Sequence, residues 1–464
     1  MKLLTEHILT ILGFALGVIL VARMLREQNR PGVAMAWLLA IVLIPYIGVP
    51  VYLLFGGRKL KRMAGRKEDL HILGDEKAAD GRNFERSTER ILAAAGMPPA
   101  CPMNQVELLP NGEAGYAALV SLLEGAKRSI HVTTFILGRC SVGRSIVQAL
   151  TRKAAEGAQV RLLLDALGCF RSRRAFLAPL RKAGGRVAVF MPVIPLRRKW
   201  SANLRNHRKM VVVDGETALV GGMNLARVYM GPQPDPQRWL DTAVLIHGPA
   251  VADIQAIFAS DWAFASGEEI RPGARPSAPA LTGNGGAVAQ IVPSGPDVPD
   301  DTLYEAILAA AMGAKERIWI VTPYFVPDEP LFKALTLQAR LGRDIRILLP
   351  ARSNHPIADL ARGRFLRQLA QAGAHIFTYE KRMIHAKLAV FDHDVAISGS
   401  ANLDMRSLYL NYEIALFMYS PPEVARVAGW MQGIMEESKE WDVSPAGRVR
   451  AWAEDLSLLI SPLL

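Results

Sequence analysis

Two stretches near the start of the chain are apolar without a charged residue. Ile8 to Ala22 is the shorter, and Val33 to Phe55, bounded by Arg30 and Arg58, is the longer. At helical rise the second spans a bilayer, and the first reaches that length if His7 and a snorkelling Arg23 extend it. The pattern predicts a transmembrane helical hairpin, with helices over about 8–24 and 33–55, in a membrane anchor over residues 1–57. Pro45, Gly48 and Pro50 predict a kink in the second helix. Trp37, Tyr46 and Tyr52 are candidate interfacial anchors. The competing reading is a cleaved leader over residues 1–22, but no small-x-small site follows and a stronger apolar run comes next.

Beyond the anchor the periodicity changes. Residues 58–100 read as a basic juxtamembrane segment and linker, with one helix near 85–95. From residue 101 a helix-strand alternation begins and then repeats. Gly125-Ala126-Lys127-Arg128-Ser129-Ile130 resembles Gly313-Ala314-Lys315-Glu316-Arg317-Ile318, and a helical apolar spacing precedes each. Short apolar runs of strand type follow, Val160–Asp165 and Ile345–Pro350. Each leads through a basic helical stretch ending in Ala-Gly to another strand, Val187–Phe190 or His375–Tyr379. Repetition of this order argues an α/β fold of two similar halves, residues 101–265 and 290–464, around a Pro/Gly-rich linker at 266–289. After Pro422 the pattern is helical, with Trp430, Ile434 and Trp452 on apolar faces that predict packing.

Charge adds orientation and a class of partner. Lys and Arg total 55 against 43 acidic residues, a net charge of +12. That excess suits an anionic partner, a phospholipid surface or nucleic acid. The loop between the apolar runs holds Arg23, Arg26 and Arg30, whereas Arg58 to Lys67 carries six basic residues. The positive-inside rule therefore puts both ends of the hairpin in the cytoplasm. The three cysteines are scattered, without CxxC spacing, which reads as reduced thiols and neither a disulfide frame nor a zinc site.

Each half also carries one copy of a short polar pattern. The first reads His207-Arg208-Lys209, then Asp214-Gly215, then Gly221-Gly222-Met223-Asn224; the second reads His385-Ala386-Lys387, then Asp392, then Gly399-Ser400-Ala401-Asn402. The spacings are identical. On a strand, His and Lys two apart share a face. Asp-Gly is a hairpin signal, and the returning strand brings the Asn back beside them. Two such copies deliver two imidazoles, two ammoniums and two amides. That set fits phosphodiester chemistry: one imidazole attacks phosphorus, the other protonates the leaving alkoxide, and Lys and Asn hold the nonbridging oxygens. No metal-ligand cluster is evident, and the chemistry needs no metal or other cofactor. His207, Lys209, Asp214, His385, Lys387 and Asp392 are the candidate catalytic set, with Asp214 and Asp392 better suited to the turns. Asn224, Asn402 and Ser400 are candidate phosphate binders, although Gly222 stands at the place of Ser400 in the first copy. Asp241 and Glu413 are candidates to orient the histidines.

The paired motifs resemble those of the phospholipase D superfamily, and the closer similarity is to bacterial cardiolipin synthases with two transmembrane helices. Supporting stretches include Pro45-Tyr46-Ile47-Gly48, Ser294-Gly295-Pro296-Asp297, Thr322-Pro323-Tyr324-Phe325 and Ser400-Ala401-Asn402-Leu403-Asp404. The resemblance implies duplicated phospholipase D-like domains forming a pseudo-twofold pair. It implies a phosphatidyltransferase that joins two phosphatidylglycerols into cardiolipin and releases glycerol, at the bacterial inner membrane with its catalytic domains on the cytoplasmic side. Phosphatidylglycerol and anionic membrane lipid are then the expected partners, and nucleic acid is not. It carries His207, Lys209, Asn224, His385, Lys387 and Asn402 into the active site, with His207 favoured as nucleophile. Phe135 stands where the family often has Tyr, and Cys169 where it often has Ser. A hydrolytic phospholipase D or a phosphodiester nuclease shares the motif, and a decayed scaffold is a third alternative; the apolar anchor favours a lipid substrate.

Overall fold

The computed structural model describes residues 86–459, apart from residues 173, 193–203, 272–285, 299, 442 and 444–445, together with Ile41, Lys67 and Leu70. The chain divides into two units, residues 1–68 with 194–204, and residues 69–193 with 205–464. Only the second is described in any detail. Apart from Ile41, both expected transmembrane helices lie outside the described residues, and so does nearly all of the basic cluster after Arg58. Among the described residues no helix is long and apolar enough to cross a membrane.

The second unit is built on hydrogen-bonded strands. In the first half these are β1 (Cys101–Leu109), β2 (Ser129–Thr134), β3 (Gln159–Asp165), β4 (Arg186–Phe190), β5 (Met210–Val213), β6 (Thr217–Gly221) and β7 (Ala243–His247). In the second half they are β8 (Ala287–Ser294), β9 (Arg317–Val321), β10 (Phe325–Val326), β11 (Asp344–Pro350), β12 (His375–Tyr379), β13 (Leu388–Phe391), β14 (Val395–Gly399), β15 (Leu403–Asp404), β16 (Glu413–Met418) and β17 (Lys439–Glu440). All but β10 and β15 follow one hydrogen-bonded order, β17-β12-β11-β9-β13-β14-β16-β8-β1-β7-β6-β5-β2-β3-β4. The order reads as a mirror about the antiparallel β1–β8 junction.

The register makes the duplication exact to the residue. Ile130 pairs with Val160 on one side and Val213 on the other. Ile318 pairs with Ile345 and Phe391 in the same way. Strands β2, β3 and β4 run parallel, as do β9, β11 and β12, with helices supplying the crossovers. The helix expected near 85–95 is present as Ser87–Ala94.

Local sequence explains the element ends. Asn111 caps helix Gly112–Gly125 by accepting from the Ala114 amide, and Asp328 caps Glu329–Arg340 by accepting from Leu331. Helix Val251–Ser266 ends at Gly267, whose φ of +80° suits a residue without Cβ. That helix is buried almost all round, including Ile254, Phe258 and Trp262, and packs on β2, β4, β5, β6 and β8. Each such large side chain contributes about 1.5–3 kcal/mol by leaving water. The second-half counterpart, Pro421–Glu436, packs on β9, β12, β13 and β14.

The C-terminal expectation needs correction. The helical pattern after Pro422 is two helices, Pro421–Glu436 and Arg448–Leu459, and Trp452 is 75% exposed. The second helix packs through Glu454, which lies against Gly363 and accepts from Arg367 and Arg450. An ion pair, not the tryptophan, holds that helix.

Candidate active site

The two His-x-Lys segments sit just before β5 and β13, in short extended stretches that each pair with the other half of the chain. The His207 amide donates to the Tyr412 carbonyl at 2.9 Å, and Tyr412 donates back to Arg205. The His385 amide donates to the Leu240 carbonyl at 2.7 Å, and Leu240 donates back to Met383. Each motif is therefore zipped to the segment that carries the opposite half's carboxylate. Nδ1 of His207 lies 2.8 and 3.0 Å from the two oxygens of Glu413. Nδ1 of His385 lies 2.6 Å from Oδ2 of Asp241. With both Nδ1 atoms engaged, Nε2 is the nitrogen each imidazole can offer to a substrate.

Both imidazoles line one cavity of about 440 Å³, together with Asn224 and Asn402. Phe135 meets His207 edge-on, with ring centroids 5.0 Å apart. Tyr229 and Trp239 lie 5.0 and 5.4 Å from His385. The lysines sit directly behind. Nζ of Lys209 donates to the His207 carbonyl at 2.6 Å, and Nζ of Lys387 donates to the His385 carbonyl and lies 3.0 Å from its Nδ1. Asn224 accepts from the Ile136 amide at 3.0 Å, and Asn402 donates to Ser407 at 3.2 Å.

Burial sets the protonation states. It pushes the His207 imidazole down to about 4, against the pull of Glu413. It pushes Lys209 down to about 7 and Lys387 down to about 8, with the buried carboxylates pulling both back up. The carboxylates then part company. Burial pushes Asp241 up to about 7, although Lys387 opposes it. Burial would raise Glu413 as well, but His207, Lys209 and the Ser400 hydroxyl together hold it below its ordinary value. His385 is lowered by burial and by both ammoniums. The two carboxylates are thus driven in opposite directions: neighbouring donors and cations hold Glu413 down, whereas burial dominates at Asp241 and raises it.

Three residues grouped with the site by sequence belong elsewhere. Asp214 and Asp392 do not line the cavity. Each sits at its hairpin turn, with φ of +55° and +51°, and clamps backbone amides: Lys127, Arg128 and Ser129 for Asp214, and Lys315, Glu316 and Arg317 for Asp392. Their place in the catalytic set is corrected to a structural one. Ser400 is fully buried; its hydroxyl donates to Glu413 and accepts from the Ile414 amide. It holds a carboxylate and does not face the cavity as a phosphate binder. In the first half a Cβ on Gly222 would stand 2.3 Å from Oδ1 of Asp241, so the carboxylate itself occupies the space that Ser400 fills in the second.

Arg208, the middle residue of the first motif, went unread in the sequence. It is completely buried. Its guanidinium donates to Asp261 at 2.7 Å, to the Glu413 and Ser294 carbonyls, and to Asp297 at 3.3 Å. The Ser294-Gly295-Pro296-Asp297 stretch is its receptor. A lone Arg between His and Lys gives no sequence signal for this role.

The model of the family described as "Cardiolipin synthase, PLD-like domain" matches residues 119–262 and 307–435, one match over each half. The chain belongs to this family. A second family model, "Phospholipase_D-nuclease N-terminal", matches residues 15–57. Among relatives of the family, "Cardiolipin synthase 1" of Bacillus anthracis is 33% identical over 94% of this chain and 90% of its own length. "Cardiolipin synthase A" of Pseudomonas putida is 33% identical over 97% and 96%. In fold the chain is similar to phosphatidylserine synthase of Haemophilus influenzae, with a TM-score of 0.63 at 17% identity, over 82% of this chain and 100% of that one.

Proposed function

We propose that this chain is a cardiolipin synthase: a phosphatidyltransferase that converts two phosphatidylglycerols to cardiolipin and glycerol through a phosphatidyl-histidine. The observation that carries the reading is the pair of imidazoles on one cavity, each oriented by the opposite half's carboxylate. Similarity along nearly the full length of relatives named cardiolipin synthase supports the lipid over the nucleic acid.

In the mechanism, Nε2 of His207 attacks the phosphorus of the first phosphatidylglycerol. The bond from phosphorus to the headgroup glycerol breaks, and that oxygen takes the proton stored on the His385–Asp241 pair. Glycerol leaves. A hydroxyl of the second phosphatidylglycerol returns a proton to the pair as its oxygen attacks phosphorus, and the phosphorus–nitrogen bond breaks to give cardiolipin. A neutral ring over a charged Glu413 suits the nucleophile, and a pair that stores one proton near neutrality suits the acid and base. Lys209, Lys387, Asn224 and Asn402 supply donors for the nonbridging oxygens as charge builds. Residues 1–57 anchor the enzyme by a two-helix hairpin in the inner membrane, with residues 58–100 as a basic connector and the two halves, 101–265 and 290–464, on the cytoplasmic side. The match of the N-terminal family model to residues 15–57, which covers the second apolar run and the latter part of the first, supports that anchor.

The test is purified full-length protein on vesicles of phosphatidylglycerol, with and without chelator. Cardiolipin and glycerol in equal amounts are expected, unaffected by chelation. Phosphatidic acid as the main product would mean a hydrolase, and DNA cleavage without lipid turnover would overturn the lipid substrate.

A further inference from the structure

The pseudo-twofold that relates the two motifs also relates the cavity's two ends, and there the halves differ. The matching backbone contacts fix the correspondence. The Tyr412 amide donates to Arg205 as Leu240 donates to Met383, so Arg205 corresponds to Met383. Asn411 donates to the Arg406 carbonyl as Trp239 donates to that of Val228, so Arg406 corresponds to Val228, and Asn411 to Trp239. At the His207 end, Arg205, Arg406 and Asn411 line the cavity; at the His385 end, Trp239 and Tyr229 do.

Each arginine comes with a carboxylate that its mirror position lacks. Arg205 lies 3.6 Å from Asp165, and Asp165 corresponds through the β2–β3 and β9–β11 registers to Pro350. Arg406 interacts with Asp404, whose counterpart is Ala226. Asp165 also accepts from the Leu167 and Asn206 amides, and Asp404 caps Met405–Tyr409 at the Ser407 amide. These carboxylates are thereby fixed, and the Arg205 guanidinium sits between Asp165 and the Met191 carbonyl, to which it donates at 3.2 Å. A guanidinium presents its N–H donors in a planar fork whose geometry matches a phosphate. Both guanidiniums line the same cavity, and two like charges facing one space favour an anion there.

We propose that Arg205 and Arg406 form a second phosphate subsite, beside the reacting phosphorus, which holds the acceptor lipid by its own phosphodiester. This deepens the reading of the chain as a cardiolipin synthase and rests on it. Water or a simple alcohol has no phosphate to place there, whereas the acceptor phosphatidylglycerol carries one three carbons from its reacting hydroxyl. The subsite thus selects transfer to a phospholipid over hydrolysis, and it makes the active site directional although its catalytic core is nearly symmetric.

The two products of a competition report this directly. Vesicles of phosphatidylglycerol are offered to the full-length enzyme together with a neutral short-chain alcohol. Cardiolipin and phosphatidyl-alcohol then arise from one phosphatidyl-enzyme, so their ratio reads acceptor choice alone. Arg406→Val and Arg205→Met, each of which copies the mirror residue, are expected to lower the ratio of cardiolipin to phosphatidyl-alcohol by about tenfold or more, with Arg406→Lys in between. Arg406 is only half-buried, so its variant stands if loss of the buried Arg205 prevents folding. A ratio unchanged in Arg406→Val, from a wild-type enzyme that makes cardiolipin, would overturn the subsite alone. A wild-type enzyme that makes phosphatidyl-alcohol but no cardiolipin would overturn the functional reading beneath it.

Discussion

The His207 and His385 surroundings start from the same backbone and end with different chemistry. At His207 the partner is a glutamate, and the Ser400 hydroxyl and the Asn411 amide both donate to it. At His385 the partner is an aspartate, one methylene shorter, pressed against Gly222 and held by the Thr242 amide at 2.8 Å. The carboxylate with more donors is held below its ordinary value, and the other is pushed up to about 7. The two copies of the motif thus sit over carboxylates driven in opposite directions. The difference lies in how many donors surround each orienting carboxylate.

The comparison breaks most severely if either imidazole is removed. His207→Ala and His385→Ala should each lower kcat by about 10³-fold or more, since the residues act as one unit. Full activity in either variant would mean that the halves work separately. Trapping the phosphorylated enzyme and mapping the modified residue should find His207; label on His385 would reverse the assignment of roles.

Next in size is an exchange at Gly222 and Ser400, matching positions where the copies differ. Gly222→Ser puts a Cβ into Asp241 and should displace it, with a loss of roughly 10²-fold in kcat. Ser400→Gly, the reverse exchange, removes one donor from Glu413 and should cost only about tenfold. Equal losses from the two would refute the view that Gly222 is required by space and Ser400 by a hydrogen bond.

The pH profile sharpens the same contrast. On the acid side kcat should fall as pH drops toward 4, where His207 takes a proton and ceases to be a nucleophile. On the alkaline side it should fall through about 7 to 8, as Asp241 loses the stored proton and Lys209 and Lys387 lose their charge. Asp241→Asn should flatten the part of the alkaline limb nearest 7, and an unchanged limb would remove Asp241 from the proton store. The smallest expected effect on chemistry is at the turns. Asp214→Ala and Asp392→Ala should lower stability by about 1–3 kcal/mol through lost amide contacts, read as a drop in Tm. Turnover per folded molecule should stay within about twofold of wild type; a catalytic collapse at full stability would return them to the active site.

Much of this site was legible because it depends on local spacing. Two residues along a strand is a shared face, and Asp-Gly is a turn, so His, Lys and Asn could be grouped from the letters alone. The register β2–β5 and β9–β13 then repeats as the duplicated segments lead one to expect. Asp241 and Glu413 were legible as candidates, but not their exchange between halves, because no sequence spacing encodes which carboxylate crosses the pseudo-twofold. Ser400 was misread for a related reason: a hydroxyl two residues before Asn402 faces β16 once the strand is paired, and pairing is a tertiary fact. Trp452 was read as packing because an aromatic on a helix is usually covered, whereas buried Glu454 fastens that helix. Arg205 and Arg406 looked like two more among 55 basic residues until the fold set them at one end of a cavity.

Arg208 carries a consequence for the history of the chain. It lies in the first half, yet it grips Ser294, Asp297 and the Glu413 backbone of the second, and its counterpart there is Ala386. Two first halves brought together would own two such cations and lack Asp297; two second halves would own the receptors and no cation. Arg208 keeps Asp261 in its own half, but its contacts across the seam form only where one half of each kind meets the other.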